Sequence, residues 1–553
     1  MHYDVVIAGG GFAGAQAARA LAAALGREEA TRRVALIAER NVLVFHPMLA
    51  EVAGAALSPA DVVNPLRQFC RGVTVLQGAV TAVDLAAKTL TVDGGRFTRN
   101  QAVGFRHLVL ALGSVTDLSK VPGMAEHGWP LKSVADALRL RAAVINRLEE
   151  ANLVEDAATR ARLLTFVVVG GGYTGVEVAG QLHDLLHEAR GFYSRLKGER
   201  IRVALVHGHA TLLAEIGPKL GQYTAEVLRK RGIELFLEKR VAEATASRVV
   251  FTDGGAIETH TIVSTIGNAP SPVVLDVARQ LGLATEKGRI PTEPTMRVKG
   301  QRELWAAGDC AAVPWTDRGE RKIAPPTAQL AQRAGKQLGR NLARVLKAET
   351  RGAGAGGERG RENVAAEVGL RPFEYRYLGQ LATIGARQAV AEVMGFHFKG
   401  FFAWWLWRTI YLAKLPGVMR RLRVTIDWTF EAIFARDISV VLPAPDEPLK
   451  AVHLEQGEPM ARRGDLMRAV GYVRRGCLEA RGGDGSVTRL PAGTVVDQAW
   501  ADAEGKWRAD IVALESSDLT IFRGRALELL RGELRLAPRA ARASSGAGAE
   551  AGA

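Results

Sequence analysis

The chain has 553 residues, of which 48% are hydrophobic, 24% charged and 6% aromatic. These ordinary globular values exclude a wholly disordered or fibrous chain, and the length allows several domains with large cores. The excess of basic residues, 73 Lys and Arg against 58 Asp and Glu, favours an anionic partner such as a nucleic acid, an anionic lipid or an anionic cofactor. The three cysteines form no local pair, which excludes a redox pair or a cysteine-rich cluster and suits a reducing cytoplasm.

Neither a signal peptide nor a transmembrane helix is predicted. The N-terminal MHYDVVIAGGG has no basic region before its apolar run. The most apolar stretch, 401–415, is interrupted by Arg408 and Lys414.

The N-terminal residues predict a strand, a tight turn and a helix. The apolar run DVVIA is followed by an alanine-rich stretch, and between them stand glycines spaced as G-x-G-x-x-G, which are Gly9, Gly11 and Gly14. The first glycine of this motif makes the turn, the second lets the backbone approach a pyrophosphate, and the third lets helix pack on strand. The phosphates then lie at the positive N-terminus of the helix. Glu39 follows the next predicted strand, where an acid binds ribose hydroxyls.

A second unit of the same kind follows in FVVVGGGYTGVEVAGQL, whose motif glycines are Gly170, Gly172 and Gly175. Two such units indicate two dinucleotides, which we interpret as FAD at the first and a nicotinamide nucleotide at the second. The acid expected after the next strand is absent, because His207 stands there, with His209 nearby. Since a carboxylate favours NADH and a basic residue tolerates a 2′-phosphate, the choice between NADH and NADPH stays open. The alternative is that His207 is a surface histidine without a ligand.

Glu177 lies on the helix directly after the second glycine turn. A carboxylate at this point can lie near the nicotinamide and the flavin ring. The alternative is an ordinary charge on the helix surface, favourable to the helix dipole, and the residue pattern alone favours that alternative.

A strand that ends in Gly308 and Asp309 completes the predicted flavin site. An Asp at the carboxyl end of a strand can accept hydrogen bonds from ribityl or ribose hydroxyls. The helix predicted to begin at 325–327 can aim its N-terminus at the pyrimidine edge of the flavin, which becomes anionic on reduction. Gln329 and Gln332 lie at the start of that helix.

With these motifs in this order, the chain resembles the flavoproteins with two dinucleotide-binding domains and, within them, the type II NADH dehydrogenases, or NADH:quinone oxidoreductases. The resemblance covers residues 1 to about 440 and is carried by GGGFAGAQAARAL, FHPMLAEVAGAALSPADVVNPLR, VLALGS, VVVGGGYTGVEVAGQL, TIGNAP, LWAAGDCAAVP, APPTAQLAQRAGKQLGRNL and FEYRYLGQLATIGARQAVAEVMGFHFKGFFAWWLWRTIYL. The glycine and Gly-Asp motifs are shared by the whole superfamily, whereas FHPMLAEVAG and GFFAWWLW are more specific. The absence of a cysteine pair separates the chain from disulfide reductases and argues against sulfide:quinone reductases.

The resemblance implies an FAD cofactor, hydride transfer from NADH or NADPH to the flavin, and two-electron reduction of a membrane quinone in a respiratory chain without proton pumping. It implies that Glu177 lies beside the flavin and the nicotinamide and that Gln329 belongs to the quinone site, both as catalytic residues. The family's quinone-site pattern A-Q-x-A-x-Q appears here with Gln329 kept, Arg333 in place of the second glutamine, and Gln332 shifted by one. The further cofactor-binding candidates are Arg40, Ala111, Gly113 and Gly267. No metal site is expected.

The predicted fold class is α/β, with two Rossmann-like dinucleotide-binding domains in a three-layer, doubly wound pair. The NAD(P)H domain, 151–285, is expected to be inserted between two parts of the FAD domain, 1–150 and 286–345. The expected remaining segments are a flexible Gly/Arg-rich linker at 346–367, a membrane-interface and quinone-site region at 368–440, a β-rich barrel module at 446–535 and a disordered tail at 536–553.

Residues 396–436 predict a membrane-associating surface, because they hold 11 aromatic residues and seven basic residues against two acidic ones. An aromatic, basic segment too short to span a bilayer can lie in the interface of anionic lipid, and an enzyme that reduces a lipid-soluble quinone must reach the bilayer. The alternative is a helix pair that packs on the flavin domains or forms a dimer interface. We expect a peripheral protein on the cytoplasmic face of the inner (plasma) membrane, a homodimer, without a nucleic-acid partner.

Residues 446–535 lie outside the family pattern and resemble a cyclic-nucleotide-binding β-barrel. The phosphate cassette of that family is a Gly-Glu pair followed by an Arg; here the pair is Asp497-Gln498, and Arg508 matches the arginine. Because the glutamate that contacts the ribose is lost, we interpret the module as degenerate, with a role in regulation, dimerisation or docking.

Two other functions remain open from the sequence. One is an NAD(P)H-dependent reductase of a soluble electron acceptor, such as a ferredoxin or a dye-like compound, which would need no lipid. The other is a redox-sensing flavoprotein that acts through its C-terminal module and turns over slowly.

Overall fold

The computed structural model describes residues 1–440 and 449–523, with gaps at 96–97, 99, 246, 318, 368, 376–377, 416–417, 432–433, 455, 458, 462, 465–466, 468 and 503–505. The chain divides into two compact units, Met1–Val440 and Val441–Ala553. The tail expected at 536–553 lies outside the described residues.

The first part of the chain builds most of a seven-stranded sheet. Its elements are β1 (His2–Ala8), α1 (Phe12–Leu25), α2 (Arg27–Arg33), β2 (Val34–Ala38), β3 (Val42–Val44), α3 (Leu49–Ala53), β4 (Val63–Pro65), α4 (Leu66–Phe69), β5 (Thr74–Gln77), β6 (Ala79–Asp84), β7 (Thr89–Asp93), β8 (Gln101–Leu110) and β9 (Ser114–Thr116). The sheet has the order β5-β2-β1-β8-β7-β6, and β5, β2, β1 and β8 run parallel. Every residue of β2 is buried, as expected for an apolar strand of a parallel sheet that is covered on both faces.

The middle of the chain builds a second, all-parallel sheet. Its elements are α5 (Met124–His127), β10 (Gly128–Pro130), α6 (Val134–Leu153), α7 (Ala157–Leu163), β11 (Thr165–Val169), α8 (Tyr173–Ala189), β12 (Arg202–Val206), α9 (Pro218–Lys230), β13 (Glu234–Phe236), β14 (Val241–Ala244), β15 (Arg248–Phe251), β16 (Ala256–Glu258) and β17 (Thr261–Ser264). The order is β10-β17-β11-β12-β13, and β14, β15 and β16 form a separate antiparallel meander. Because β10 pairs with β17, the second domain begins before residue 128. The predicted boundary at residue 150 falls inside α6 and was wrong, since a three-residue strand gives almost no sequence signal.

The chain then returns to the first sheet. The next elements are β18 (Asn268–Pro270), α10 (Pro272–Gln280), β19 (Ile290–Pro291), β20 (Leu304–Ala306), β21 (Ala311–Ala312), β22 (Pro314–Asp317), β23 (Glu320–Ile323) and α11 (Ala328–Glu367). Strand β20 pairs with the C-terminal half of β8, so the second domain is inserted in the first, as predicted. The return comes earlier than residue 286, because β18 pairs with β9 and α10 packs into the core of the first domain.

Helix α11 continues through the segment predicted to be a flexible linker. It begins at Ala328, after the prolines, and runs to Glu367, so the linker at 346–367 was wrong. Glycine costs a helix about 1 kcal/mol per residue relative to alanine. The first turns are packed on α1, however, with Gly335 and Gly339 against the backbone of Ala13 and Ala17. Extending a helix that is already nucleated is far less costly than starting one.

A three-stranded antiparallel sheet and two helices complete the first unit. They are β24 (Gly379–Gly385), β25 (Gln388–Val393), β26 (Phe396–Lys399), α12 (Gly400–Lys414) and α13 (Val418–Glu431). Strand β24 packs on α8, and Gly180 of that helix is enclosed by the backbone of Ile384. Within the described residues, no helix is both long and apolar enough to cross a bilayer.

The second unit is built from strands. They are β27 (Leu449–Leu454), β28 (Pro459–Ala461), β29 (Ala469–Arg475), β30 (Cys477–Gly482), β31 (Val487–Pro491), β32 (Val495–Val496), β33 (Ala509–Ala513) and β34 (Ser517–Arg523). Two four-stranded antiparallel sheets, β27-β34-β29-β32 and β28-β33-β30-β31, share a core that includes Leu478, Ile511 and Leu519. The β-rich character predicted for this module is therefore present.

Candidate functional site

The first glycine motif forms the turn between β1 and α1. Gly9 has a φ of +118°, and a Cβ there would lie 2.1 Å from the carbonyl oxygen of Ala111. A Cβ at Gly14 would lie 1.9 Å from the carbonyl oxygen of Gly9, whereas one at Gly11 would meet nothing within 4 Å. The first and third glycines are thus required by packing, and the second leaves an open cradle at the helix N-terminus where a pyrophosphate can approach the backbone.

The second motif, between β11 and α8, has the same geometry. Gly170 has a φ of +116°, and a Cβ at Gly175 would lie 1.7 Å from the carbonyl oxygen of Gly170. A Cβ at Gly172 would again meet nothing within 4 Å. Both turns therefore fit the diphosphate of a dinucleotide.

A polar group at the carboxyl end of the first sheet surrounds Asp309. The hydroxyl of Ser114 donates to Asp309 Oδ2 at 3.4 Å and accepts from Lys132 Nζ at 2.9 Å. Lys132 also donates to Asn268 Oδ1 at 3.2 Å. Ser114 and Asn268 belong to the paired strands β9 and β18, which connect the two domains and are here called the crossover. Lys132 therefore links the two strands of the crossover at a point next to Asp309.

The other candidate residues of the first domain differ in exposure and in backbone conformation. Glu39 and Arg40 are exposed directly after β2. Gly113 and Gly308 have positive φ angles of +67° and +83°. A Cβ at Gly267 would lie 2.3 Å from a backbone oxygen, so packing of the crossover alone already requires glycine there.

His46, in the FHPM segment, lies beside the same polar group. Its ring is 6.1 Å from the ring of Phe12, at the start of α1. His46 is exposed in part to solvent. Desolvation by the surrounding residues lowers its pKa, and the positive charge of Lys132 lowers it further, while Asp309 opposes the change.

Glu177 lies in the second turn of α8 and is only 7% exposed. Its Oε1 accepts a hydrogen bond from the backbone N–H of Thr383 at 3.4 Å. Burial raises the pKa of Glu177 well above its ordinary value, and the charge of Glu51 raises it further, whereas the Thr383 N–H opposes the rise. The interpretation of Glu177 as a helix-surface charge is therefore wrong.

Glu51 of α3 connects this carboxyl to the C-terminal helices. It is buried, and the indole N–H of Trp428 donates to its Oε2 at 3.3 Å. It also lines a cavity of about 210 Å³, together with Trp404 and Arg408 of α12. The buried surroundings of Glu177 thus include side chains from the end of the first unit.

Arg436 joins three parts of the fold at the same cavity. Its guanidinium is buried and donates to the carbonyl oxygen of Gly54 at 2.7 Å and to Gln181 Oε1 at 2.9 Å. Gly54 follows α3 and Gln181 belongs to α8, so one arginine from the end of the first unit contacts both dinucleotide domains.

Gln329, in the first turn of α11, faces the segment before β24. Its Oε1 accepts from the hydroxyl of Tyr375 at 3.1 Å, and its Nε2 donates to the carbonyl oxygen of Gly379 at 3.5 Å. The guanidinium of Arg333 lies 5.3 Å from the ring centre of the same Tyr375, a cation–π contact. Gln332 is half-buried one position earlier. The arginine that departs from the family pattern therefore shares a partner with the glutamine that is kept.

His207 follows β12 and is hydrogen-bonded to the second glycine turn. Its Nδ1 accepts the backbone N–H of Gly171 at 3.1 Å, and its ring lies 5.2 Å from that of His209. Burial lowers the pKa of His207, and His209 lowers it further. A neutral histidine therefore stands where a carboxylate was expected.

Two of the three cysteines, Cys70 and Cys310, are not suited to thiolate chemistry. All three are free, and Cys70 and Cys310 are buried. Burial raises the pKa of Cys70 to about 12 and the pKa of Cys310 to about 11. Both thiols therefore stay protonated at neutral pH.

Several residues that the motifs did not single out lie at the site. They are His46, Glu51, Lys132, Thr383 and Arg436. The FHPMLAEVAG segment, already the more specific part of the pattern, contains the first two of them and could have indicated them. Lys132, Thr383 and Arg436 belong to no motif with a chemical signature.

Two Rossmann-like sheets, each with an open glycine cradle and one inserted in the other, define an α/β oxidoreductase that binds two dinucleotides. Family comparison agrees: residues 3–337 match the family described as pyridine nucleotide-disulphide oxidoreductase, and residues 377–437 match the NDH2 C-terminal domain.

Individual relatives are similar over most of their length. The type II NADH:quinone oxidoreductase Ndh of Mycobacterium tuberculosis is 31% identical over 443 residues, which are 78% of this chain and 89% of the relative. The mitochondrial internal alternative NAD(P)H-ubiquinone oxidoreductase A1 of Arabidopsis thaliana is 30% identical over 460 residues, covering 79% and 85% of the two chains. The solved structure of NDH2 from Plasmodium falciparum in complex with NADH has a TM-score of 0.69 at 18% identity and covers 79% of this chain and 99% of its own. This last likeness concerns the fold.

The chain therefore belongs to the pyridine nucleotide-disulphide oxidoreductase family and, within it, to the type II NADH:quinone oxidoreductases. The family identified from the motifs is confirmed. The resemblance of 446–535 to a cyclic-nucleotide-binding barrel stays a prediction. In the structure, Arg508 of that module donates to the carbonyl oxygen of Ala499, and Asp497 accepts the backbone N–H of the same residue.

Proposed function

We propose that this chain uses bound FAD to oxidise NADH or NADPH and to reduce a membrane quinone, without pumping protons. In balance, NAD(P)H, one proton and a quinone become NAD(P)⁺ and a quinol. The observation that carries the proposal is the burial of Glu177. This residue lies next to the second glycine cradle and accepts a hydrogen bond from the backbone of Thr383 in β24. The printed names of the relatives, which are oxidoreductases of NADH or NAD(P)H and a quinone, support it.

The geometry of its glycines lets the first cradle hold FAD. Packing forbids a side chain at Gly9 and Gly14, whereas the space beside Gly11 is open to a ligand. Its backbone would hold the diphosphate, Glu39 the ribose and Asp309 the ribityl hydroxyls. FAD, when bound, supplies a two-electron centre that accepts a hydride and passes electrons to a quinone. The N-terminus of α11 would favour negative charge on the flavin.

Two side chains are proposed to act on the reactants. Burial favours the protonated form of Glu177 because it raises the pKa of that carboxyl, so Glu177 would hold a proton at the meeting point of nicotinamide and flavin. Gln329, bonded to Tyr375, would orient the quinone head group. Arg333 adds a positive charge at the same place, which suits a quinone oxygen that becomes negative as electrons arrive.

The membrane surface proposed for 396–436 is supported by the division of its helices into two faces. Ala403 and Trp407 of α12 and Val424 and Trp428 of α13 are buried. The opposite faces expose large apolar side chains, which are Phe401, Phe402, Trp405, Met419, Leu422, Ile426 and Phe430. On α13 these recur at intervals of three and four residues, as one stripe of a helix does.

An apolar stripe of this kind marks a surface that binds a partner or a membrane. Arg421 and Arg423 are exposed on the same helix and would attract anionic lipid, at about 1 kcal/mol per residue near the surface. We propose that this face lies in the interface of the cytoplasmic leaflet and brings the quinone to Gln329. The homodimer stays a prediction from the sequence.

The proposal is tested by steady-state oxidation of NADH and NADPH with a short-chain quinone, compared with a soluble ferredoxin and a dye acceptor, with and without liposomes. Fast quinone reduction, stimulated by liposomes that carry a long-chain quinone, is the expected result. Rapid turnover with the ferredoxin alone would favour the soluble-acceptor function, and slow turnover with every acceptor would favour the redox sensor.

A further inference from the structure

No carboxylate follows directly after strand β12, where the second cradle is expected to bind the adenosine ribose. Strand β12 ends at Val206 and is followed by His207, Gly208 and His209. In Rossmann-like sites, a carboxylate near this point binds the 2′-hydroxyl of NADH, whereas an arginine nearby accommodates the 2′-phosphate of NADPH.

An arginine from the turn after the neighbouring strand lies at this place. The chain leaves β13, which pairs with β12, and reaches Arg240. A Cβ built on Gly208 would lie 3.3 Å from Arg240 Cγ and 3.9 Å from its Nε. The Arg240 side chain is exposed, and over the described parts of the chain no hydrogen bond or ion pair engages its guanidinium. It is therefore a free cation beside the turn that follows β12.

Backbone hydrogen bonds fix the position of this arginine relative to the cradle. The N–H of Lys239 donates to the carbonyl oxygen of His207 at 3.0 Å, and the N–H of Glu238 donates to that of His209 at 3.2 Å. His207 is in turn bonded to the glycine turn through Gly171. The glycine turn, the end of β12 and the turn after β13 thus form one connected surface.

The other charges nearby leave Arg240 as the cation that a phosphate would meet. Lys239 is paired with Asp253. His207 is neutral, since its Nδ1 accepts a backbone N–H and cannot also carry a proton. Glu238 is exposed on the same turn as Arg240. It is the alternative ligand at this place, because its carboxylate could bind a ribose hydroxyl of NADH instead of a 2′-phosphate.

We propose that this enzyme accepts NADPH as well as NADH, and that Arg240 binds the 2′-phosphate. The inference rests on the proposed function, because it names the nucleotide class used at the same site. The hydride and electron balance is the same for both nucleotides, and only the contact at the ribose differs.

Binding of fragments without a nicotinamide tests Arg240 apart from catalysis. Adenosine 2′,5′-bisphosphate and 5′-AMP are titrated into the full-length holoprotein and followed by calorimetry. We expect the bisphosphate to bind roughly tenfold more tightly, since a hydrogen bond to a charged group contributes at least this factor. Arg240→Gln should remove this preference and leave the affinity for AMP unchanged. The matched control is Arg248→Gln, an exposed arginine of β15, which removes the same charge and should change neither affinity.

Kinetics with a short-chain quinone form the second arm of the test. In Arg240→Gln, kcat/KM for NADPH should fall by roughly tenfold while that for NADH stays the same. Glu238→Gln should not lower the use of either nucleotide. If Glu238→Gln instead lowers NADH oxidation and the native chain rejects both NADPH and the bisphosphate, Glu238 is the ribose ligand and the proposal is wrong.

Different results would overturn the role of Arg240 and the proposed function. Oxidation of NADH without oxidation of NADPH, combined with equal affinity for the two fragments, would overturn the role of Arg240 and leave the proposed function standing. Oxidation of neither nucleotide would overturn the proposed function, while the calorimetry would still decide whether Arg240 binds a 2′-phosphate.

Discussion

The indole N–H of Trp428 donates to the carboxylate of Glu51, with 3.3 Å between Nε1 and Oε2. Trp428 lies on the buried face of α13, whose other face exposes the apolar stripe, and the charge of Glu51 contributes to the raised pKa of Glu177. One hydrogen bond therefore links a helix of the proposed membrane surface to the surroundings of the carboxyl proposed to act at the flavin. The helices at the end of the first unit therefore contribute to the proposed active site.

Replacing Glu177 by glutamine should slow the enzyme. Glutamine keeps the size of the side chain and can still accept from the Thr383 N–H, but it cannot exchange a proton. We expect kcat with NADH and a short-chain quinone to fall by about 100-fold, in the range of a lost acid–base group. Glu226→Gln, at an exposed position of α9, is the control. Equal turnover of the two variants would remove Glu177 from the catalytic residues.

The same Glu177→Gln variant should change how stability depends on pH. Because burial raises the pKa of Glu177 in the folded protein, the folded chain holds a proton that the unfolded chain releases above the ordinary glutamate pKa. The stability from this proton is fully present below the unfolded pKa and is lost as pH rises through the raised, folded value. Between about pH 5 and pH 8, Tm should therefore fall less in Glu177→Gln than in the native chain. Parallel Tm curves for the two proteins would show that the pKa is not raised.

The two outer glycines of the first motif should respond differently from the middle one. Gly14→Ala places a Cβ against the carbonyl oxygen of Gly9 and should destabilise the protein by about 1–3 kcal/mol or more. Gly11→Ala meets open space, so it should keep the native stability of the apoprotein and lose FAD, because its methyl group occupies the place of the pyrophosphate. Urea unfolding of the apoproteins and flavin content separate the effects. Full flavin content in Gly11→Ala would mean that the cradle is not the FAD site.

The exposed face of α12 should determine binding to lipid. Changing Phe401, Phe402 and Trp405 together to serine removes side chains that are 60%, 55% and 52% exposed, so the fold should be kept. Vesicles of anionic lipid should bind the variant at least roughly tenfold more weakly, since burying one such side chain contributes about 1.5–3 kcal/mol. Phe192→Ser, at an aromatic residue that is 62% exposed and lies outside 396–436, should bind as the native chain does. Unchanged flotation of the triple variant would exclude this face as the membrane surface.

Most of the fold and both glycine cradles could be predicted from local sequence patterns. The glycine spacings predicted two strand–turn–helix units because each glycine acts within a few residues of its neighbours, as Gly9 and Gly14 do in the structure. The domain boundary was missed because β10 has three residues and its partner β17 lies far along the chain. The helical segment at 346–367 was missed because its composition is that of a linker, and its helix continues from turns packed on α1.

The candidate site could be predicted only where it coincides with a motif. Asp309 and Gln329 were predicted as site residues because each ends or begins an element with a recognisable pattern. The burial of Glu177 could not be predicted, since β24 covers it from a position about 200 residues later in the chain. Lys132 and Arg436 act through contacts across domains, and no local pattern marks such residues.

The central claim, that electrons pass from a nicotinamide nucleotide through a flavin to a quinone, is tested most directly by anaerobic spectroscopy of the purified full-length protein. Its visible flavin absorbance should be lost when one equivalent of NADH is added and should return when a short-chain quinone follows. A protein that stays colourless after gentle isolation and incubation with FAD, or a bound flavin that NADH does not bleach, would contradict the claim.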